Sequence, residues 1–75
     1  MGIITEAVVS NLNYSMLSIN NALKCIEDAE MSLDIGFRNP FERKRKQQKI
    51  DEAKSMLNII LKECEAQMEL ERKYE

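Results

Sequence analysis

The sequence predicts an all-α protein, an antiparallel two-helix hairpin that dimerises into a four-helix bundle. Two long runs of helix-forming residues, about 4–35 and 40–72, carry apolar residues at helical spacing. Between them, residues 36–39 combine a glycine that favours helix termination with an Asn-Pro pair that favours helix initiation. Two helices in a single domain of 75 residues bury little apolar surface, which predicts association with a second copy or another partner.

Helix one, predicted over residues 4–35, has a wide apolar face. Its apolar residues cover an arc of about 150° at about 100° per residue. A hairpin partner covers only part of such an arc, so one edge stays open, either that of Val9, Met16 and Leu23 or that of Ala22 and Ala29. We assign the dimer interface to the Leu23 edge. The residues of helix one assigned to the core or interface are Val9, Leu12, Met16, Ile19, Leu23, Ile26 and Leu33.

The turn, residues 36–39, carries stop and start signals. Gly36 is predicted to adopt the left-handed conformation that closes many helices, because it has no Cβ to clash. Asn39 is a favourable N-cap, and Pro40 suits the first helical position, where its missing N–H costs nothing. Glu42 stands where the acid of a capping box would reach back to the N-cap.

Helix two, predicted over residues 40–72, has a narrower apolar seam that should face helix one. The seam residues assigned to the core or interface are Ile50, Leu57, Ile60, Leu61, Cys64 and Met68. A second and weaker apolar patch lies outside this seam, at Met56, Ile59, Ala66 and Leu70. Because both helices have more apolar surface than one contact needs, the pattern favours four helices over two.

Charge is unevenly distributed along the chain. Residues 1–37 carry one lysine against five acids, residues 38–49 six basic residues against one acid, and residues 50–75 four basic residues against seven acids. The basic segment could contact phosphates, since a helix start also offers free N–H groups. The interpretation we favour is a solvated surface that balances the acidic end of helix one. Its basic residues are Arg38, Arg43, Lys44, Arg45, Lys46 and Lys49.

Few residues here are suited to catalysis or metal binding. The chain has no histidine, and it lacks a glycine-rich phosphate loop and a nucleophile elbow. Glu27, Glu30 and Asp34 share one helix face and could hold a cation, but a solvated acidic surface is the simpler interpretation. If the turn is centred near Phe37, residues whose numbers sum to about 74 lie opposite each other, so Cys25 lies opposite Lys49. Cys64 is then about 20 Å away along helix two, too far for a disulfide, and both thiols should be free. We therefore predict no enzyme activity, no cofactor and no metal.

The amino-terminal segment predicts the cellular location. It has no basic region followed by an apolar run, so it does not resemble a signal peptide, and Glu6 stands where a myristoylation motif needs Ser or Thr. No apolar stretch approaches the length of a membrane span. The expected location is the cytoplasm, without membrane association.

Three classes of function fit these observations. The first is a small regulatory or inhibitory protein, not an enzyme, that binds another protein through an exposed helix face. The second is a nucleic-acid-binding hairpin dimer that uses the basic segment 38–49. The third is a structural subunit of a larger assembly. The width of the apolar faces favours the first class, with a homodimer as its form.

Overall fold

The structure, a computed structural model, describes the backbone of residues 2–73 and the side chains of residues 4–73. Within this range the chain is entirely helical apart from the turn, with α1 at Gly2–Gly36 and α2 at Pro40–Lys73, and it has no strand. The two helices pack side by side as a hairpin. Met1, the first residue of the amino-terminal segment that was compared with a signal peptide, lies outside the described residues.

The hairpin is a single elongated layer. It measures 57 × 15 × 10 Å, and its Cα radius of gyration is 17.1 Å. A compact domain of this length has a radius of gyration of about 11 Å. Two helices lying side by side have no third element to cover their outer surfaces, so most side chains contact solvent.

The contact between the helices forms the only apolar core of the described residues. Met68 is the one buried apolar side chain, with 7% of its surface exposed. Most other residues of the expected core line the contact half-buried, while Ile60 is 46% exposed. The half-buried residues are Val9, Leu12, Met16, Ile19, Leu23, Ile26, Leu33, Ile50, Leu57, Leu61 and Cys64.

Asn39 caps the amino terminus of α2. Its Oδ1 accepts hydrogen bonds from the backbone N–H of Phe41 at 2.9 Å and of Glu42 at 3.4 Å. These are two of the donors that the first helical turn leaves without a partner. The Glu42 carboxylate lies 3.9 Å from Arg45 rather than returning to the cap. The Asn-Pro pair therefore starts α2 as the sequence predicts.

Gly36 corrects the expectation for the end of α1. It is helical rather than left-handed, since no described glycine has a positive φ. The Phe37 N–H donates to the Leu33 carbonyl at 2.8 Å, so helical hydrogen bonding continues past the glycine. A Cβ built on Gly36 meets nothing within 4 Å. The absence of a side chain is therefore not a steric requirement at this position.

The register between the helices also differs from the expectation. In an antiparallel pair, the numbers of two residues at the same level add up to a constant. That sum is 77 for Asp34 and Arg43 and 84 for Glu30 and Lys54, whereas the sequence predicted about 74. One reason is the turn, because α1 extends through Gly36 and moves the centre of the hairpin toward α2. Cys25 and Cys64 remain on different levels, and both are free thiols.

Neither helix, over the residues described, has an apolar stretch of sufficient length to cross a membrane.

Candidate protein interaction surface

One face of the hairpin carries its polar cross-links. Lys54 Nζ donates to Glu30 Oε1 at 2.8 Å, and Gln47 donates to the other oxygen of the same carboxylate. The bond from Lys54, followed by that from Gln47, lowers the pKa of Glu30 against the opposing effect of partial desolvation. The bond to Glu30 raises the pKa of Lys54. The Glu30 carboxylate, one of the three acids that could have held a cation, is thus engaged in bonds between the two helices.

Arg43 ties α2 to the end of α1. Its Nε donates to the Phe37 carbonyl at 2.9 Å and lies 3.6 Å from the Asp34 carboxylate. The Phe37 carbonyl follows the last turn of α1, where carbonyl groups lack helical partners and attract a cation. Arg43, in the first turn of α2, therefore stabilises the connection between the helices.

The remaining cations of the basic segment point in different directions. Arg45 lies near Glu42, and Lys46 Nζ lies 5.6 Å from the centroid of the Phe37 ring. Consecutive residues of a helix project about 100° apart, so positions 43–46 surround α2 rather than forming a stripe. Arg38, Lys44 and Lys49 are exposed. This spread suits a solvated helix start better than a track along a phosphate backbone.

One edge of α1 carries no charge along its whole length. At about 100° per residue, the six charged residues of α1 fall within an arc of about 160°, and the opposite arc is uncharged. Val8 and Ala22 on this uncharged edge are half-buried, and the others are exposed. The residues of the edge are Ile4, Ala7, Val8, Asn11, Tyr14, Ser15, Ser18, Ala22, Cys25, Ala29 and Ser32.

A corresponding edge of α2 has an apolar middle. Met56 and Ile60 lie on it with 64% and 46% of their surface exposed. Toward the turn this edge carries two cations and one acid, and toward the carboxyl end it is acidic. Its residues span an arc of about 80° and are Glu42, Arg45, Lys49, Ala53, Met56, Ile60, Glu63, Gln67 and Glu71.

These two edges lie on the same face of the hairpin. On each helix, viewed from its own amino terminus, the edge is counter-clockwise from the side that contacts the other helix. Because the helices are antiparallel and face each other, both edges point to one side of the layer. We call this surface, made by the two edges together, the open face. The links from Lys54 to Glu30 and from Arg43 to Asp34 lie toward the other face.

The open face differs from the edge to which the sequence argument assigned the interface. Val9, Met16 and Leu23 are all half-buried, and Met16 lies beside Met68 at one groove of the helix contact. Ala29, from the alternative edge, is exposed. Met56 and Ile60 lie on the same face of the hairpin as Ala22 and Ala29. The helical projection of each helix, taken in antiparallel orientation, places these residues together.

Apolar side chains are also exposed on the outer surface of α1, away from α2. Leu17, Met31 and Ile35 are 59%, 70% and 81% exposed. They follow the helix surface at intervals that place them within an arc of about 40°. This outer stripe is separate from the open face.

The described residues contain no cluster of three thiol or carboxylate groups arranged as metal ligands. A cleft beside the turn, lined by Glu30, Leu33, Arg43, Gln47 and Ile50 among others, encloses about 10 Å³, which is room for about one water. Larger and more open grooves of about 300 and 370 Å³ lie near the carboxyl end of α2, beside Arg72 and beside Leu70.

Comparisons with protein-family models, with curated proteins and with solved structures find no match for this chain.

Proposed function

We propose that this protein is a non-enzymatic regulator or inhibitor that acts by helix-mediated protein–protein interaction. The observation that carries the proposal is the large apolar surface left open by the hairpin, on the open face and on the outer stripe of α1. Exposed apolar side chains at helical spacing are the feature through which helices bind grooves and other helices. Met31 and Ile35 are one helical turn apart, as are Met56 and Ile60, so each pair forms a small contiguous apolar patch of the kind that marks interaction sites.

The active form in this proposal is a homodimer, in which two hairpins make a four-helix bundle. The accessible surface of one chain is 6096 Å². A compact protein of the same mass exposes about 4,700 Å², so the hairpin carries an excess of roughly 1,400 Å². Burying that excess on each of two copies falls within the range of obligate dimers, which bury about 2,000–5,000 Å² in total.

The proposed location is the cytoplasm. Cys25 is an exposed free thiol, and free thiols persist in reducing compartments. The partner in this proposal is a protein, bound by the dimer through the outer stripe of α1 that dimerisation leaves accessible.

The experiment compares tagged wild-type protein with two single variants, Met31→Glu on the outer stripe and Met56→Glu on the open face. The proteins are purified from their own host, and captured proteins are quantified by mass spectrometry. We expect a stoichiometric protein that wild type retains and Met31→Glu loses. Met31→Glu must itself remain dimeric and helical for its loss of the partner to count.

Titration calorimetry on the purified pair then tests the mode of binding. Burial of apolar surface gives a negative heat-capacity change and an affinity that is nearly independent of salt. A ligand that proves to be RNA or DNA, with affinity falling steeply between 50 and 200 mM salt, would favour the basic segment instead. Finding no protein partner at stoichiometric amounts would overturn the proposal.

A further inference from the structure

We propose that the open face is the interface between two copies of the chain and that the copies pack with their turns at opposite ends. This rests on the homodimer in the proposed function and adds its surface and its orientation. The two-fold axis would cross α2 near residue 58, at the level of Ala22 and Cys25 in α1. Three observations carry it: the order of charges on α2, the uncharged edge of α1, and the area available.

The charges on α2 are complementary to those of a reversed copy. Along the open face, Arg45 and Lys49 outnumber Glu42 and give the end near the turn a net positive charge. The apolar Met56 and Ile60 follow, and then the acidic residues Glu63 and Glu71. Turning a second copy end for end about residue 58 places Met56 opposite Ile60. It also brings Arg45 opposite Glu71, and it leaves Lys49 about one helical turn from Glu63. A single surface therefore complements itself, as a two-fold dimer requires.

The uncharged edge of α1 decides between the two possible orientations. With the turns at opposite ends, α1 packs on α1 of the partner, and no charged residue of either edge enters that contact. With the turns at the same end, α1 of one copy covers α2 of the other. Lys49 and Glu63 would then face an edge with no charge to pair with them, and Arg45 would have only Glu42 of its own helix. Contact with a partner would remove water from these charges without pairing them, so the orientation with opposite turns is favoured.

The small side chains near the two-fold axis suit this contact. Ala22 is half-buried at the side of the hairpin, and Cys25 and Ala29 are exposed on the same edge. Small residues allow two helix axes to approach toward the lower end of the usual distance of about 8–10 Å. The larger Met56 and Ile60 fill the neighbouring contact between the two copies of α2.

Distance measurement between spin labels tests the orientation. A label is attached at Arg38→Cys in a background of Cys25→Ser and Cys64→Ser, and dimerisation and helicity are verified by sedimentation and circular dichroism. With opposite turns, the label positions lie roughly 40–55 Å apart at 1.5 Å per residue. With turns at the same end they lie within about 20 Å, given the spacing of packed helices.

Charge exchange tests the same contact without a label. We expect the double variant Arg45→Glu with Lys49→Glu to raise the dimer dissociation constant at least tenfold. Adding Glu63→Lys with Glu71→Lys should restore most of the affinity, because it reverses both halves of the pattern. Lys44→Glu with Lys62→Glu, which lie off the open face, should change the dissociation constant by less than about twofold.

The outcomes separate the two proposals. A wild type that stays monomeric at 100 µM would overturn the homodimer and this interface together. A dimer with a short label distance would overturn the orientation and leave the homodimer standing. The orientation would also be overturned if adding Glu63→Lys with Glu71→Lys raised the dimer dissociation constant further. A long distance together with restored affinity supports the interface as described.

Discussion

Glu30 and Lys54 join the two helices in the half of the hairpin nearer the turn, with 2.8 Å between the ammonium nitrogen and the carboxylate oxygen. Their side chains are 25% and 28% exposed, less than those of the Asp34 and Arg43 pair. Gln47, about two helical turns nearer the start of α2 than Lys54, donates to the same carboxylate. The best-shielded polar contact of the hairpin is therefore centred on one glutamate of α1.

Replacing Glu30 by Gln should lower stability at neutral pH and change how stability depends on pH. Because the pKa of Glu30 is lowered in the folded chain, its contribution is complete above the ordinary glutamate pKa of about 4.3. That contribution is lost as the pH falls through the folded pKa. Thermal unfolding of wild type and Glu30→Gln should therefore differ most at pH 7 and converge near pH 2.

The alkaline side gives the complementary result, because the pKa of Lys54 is raised in the folded chain. Its contribution is complete below the ordinary lysine pKa of about 10.4 and is lost as the pH rises through the folded value. Glu52→Gln, at an exposed position, serves as the matched control. If Glu30→Gln and Glu52→Gln changed stability equally at every pH, a specific role for Glu30 would be contradicted.

Gly36→Ala should stabilise the chain by about 0.5–1 kcal/mol. Glycine is the least favourable non-proline residue within a helix, and a Cβ at Gly36 meets no neighbour. The measurement is the urea midpoint, with Ser32→Ala in the same helix as a reference for propensity alone. A loss of stability would indicate the left-handed conformation that the sequence favoured, and Gly36→Val should then be worse still.

The difference at Gly36 shows what local sequence can predict for this fold. Asn39 and Pro40 start α2 as predicted because capping depends on the cap residue and its immediate neighbours. Glycine after an apolar turn is compatible with both a helical and a left-handed conformation. Here Arg43, six residues beyond Phe37, holds the Phe37 carbonyl. That contact depends on the hairpin closing and could not be read from the residues around the glycine.

The same limit applies to the surface of the hairpin. Periodicity places Leu12, Ile19 and Leu57 toward the helix contact, where the structure has them half-buried. Periodicity alone could not rank the two edges of α1, since both continue the same apolar arc. Leu23 and Ala29 differ in exposure because α2 lies nearer the Leu23 side, a consequence of side-chain packing between helices.

Asn39→Ala should lower the stability of the hairpin by about 1 kcal/mol, the usual effect of removing an N-cap. The side chain of Asn39 satisfies the N–H groups of Phe41 and Glu42, which alanine leaves to solvent. Asn39→Asp should retain nearly full stability, since a carboxylate accepts the same bonds and favours the helix dipole. Chemical denaturation measures all three proteins, and an alanine variant equal to wild type would contradict the cap.

Arg43→Gln should lower stability more than Lys44→Gln, by on the order of 0.5 kcal/mol. Arg43 donates to the Phe37 carbonyl and lies near Asp34, whereas Lys44 is exposed on another side of the same helix. Neighbouring cations thus give a matched pair with the same change in charge. Thermal denaturation at 50 mM and 500 mM salt provides the measurement. Equal losses for both variants would indicate a general charge effect instead of a bond at the turn.

The stability of the wild type should depend on protein concentration, because the hairpin leaves its open face in water. Met56 and Ile60 are 64% and 46% exposed, so burying the rest of each gains on the order of 1–2 kcal/mol, a substantial part of the stability of a small domain. If dimerisation supplies this burial, mass action adds about 2.7 kcal/mol per dimer to the apparent free energy of unfolding for each hundredfold rise in concentration. Urea denaturation at 1 and 100 µM should show that shift for wild type and for Met31→Glu. Met56→Glu should lose both the shift and much of the stability at 100 µM. A midpoint of wild type that is the same at both concentrations would mean that the hairpin folds as a monomer, with its open face accessible to a different protein.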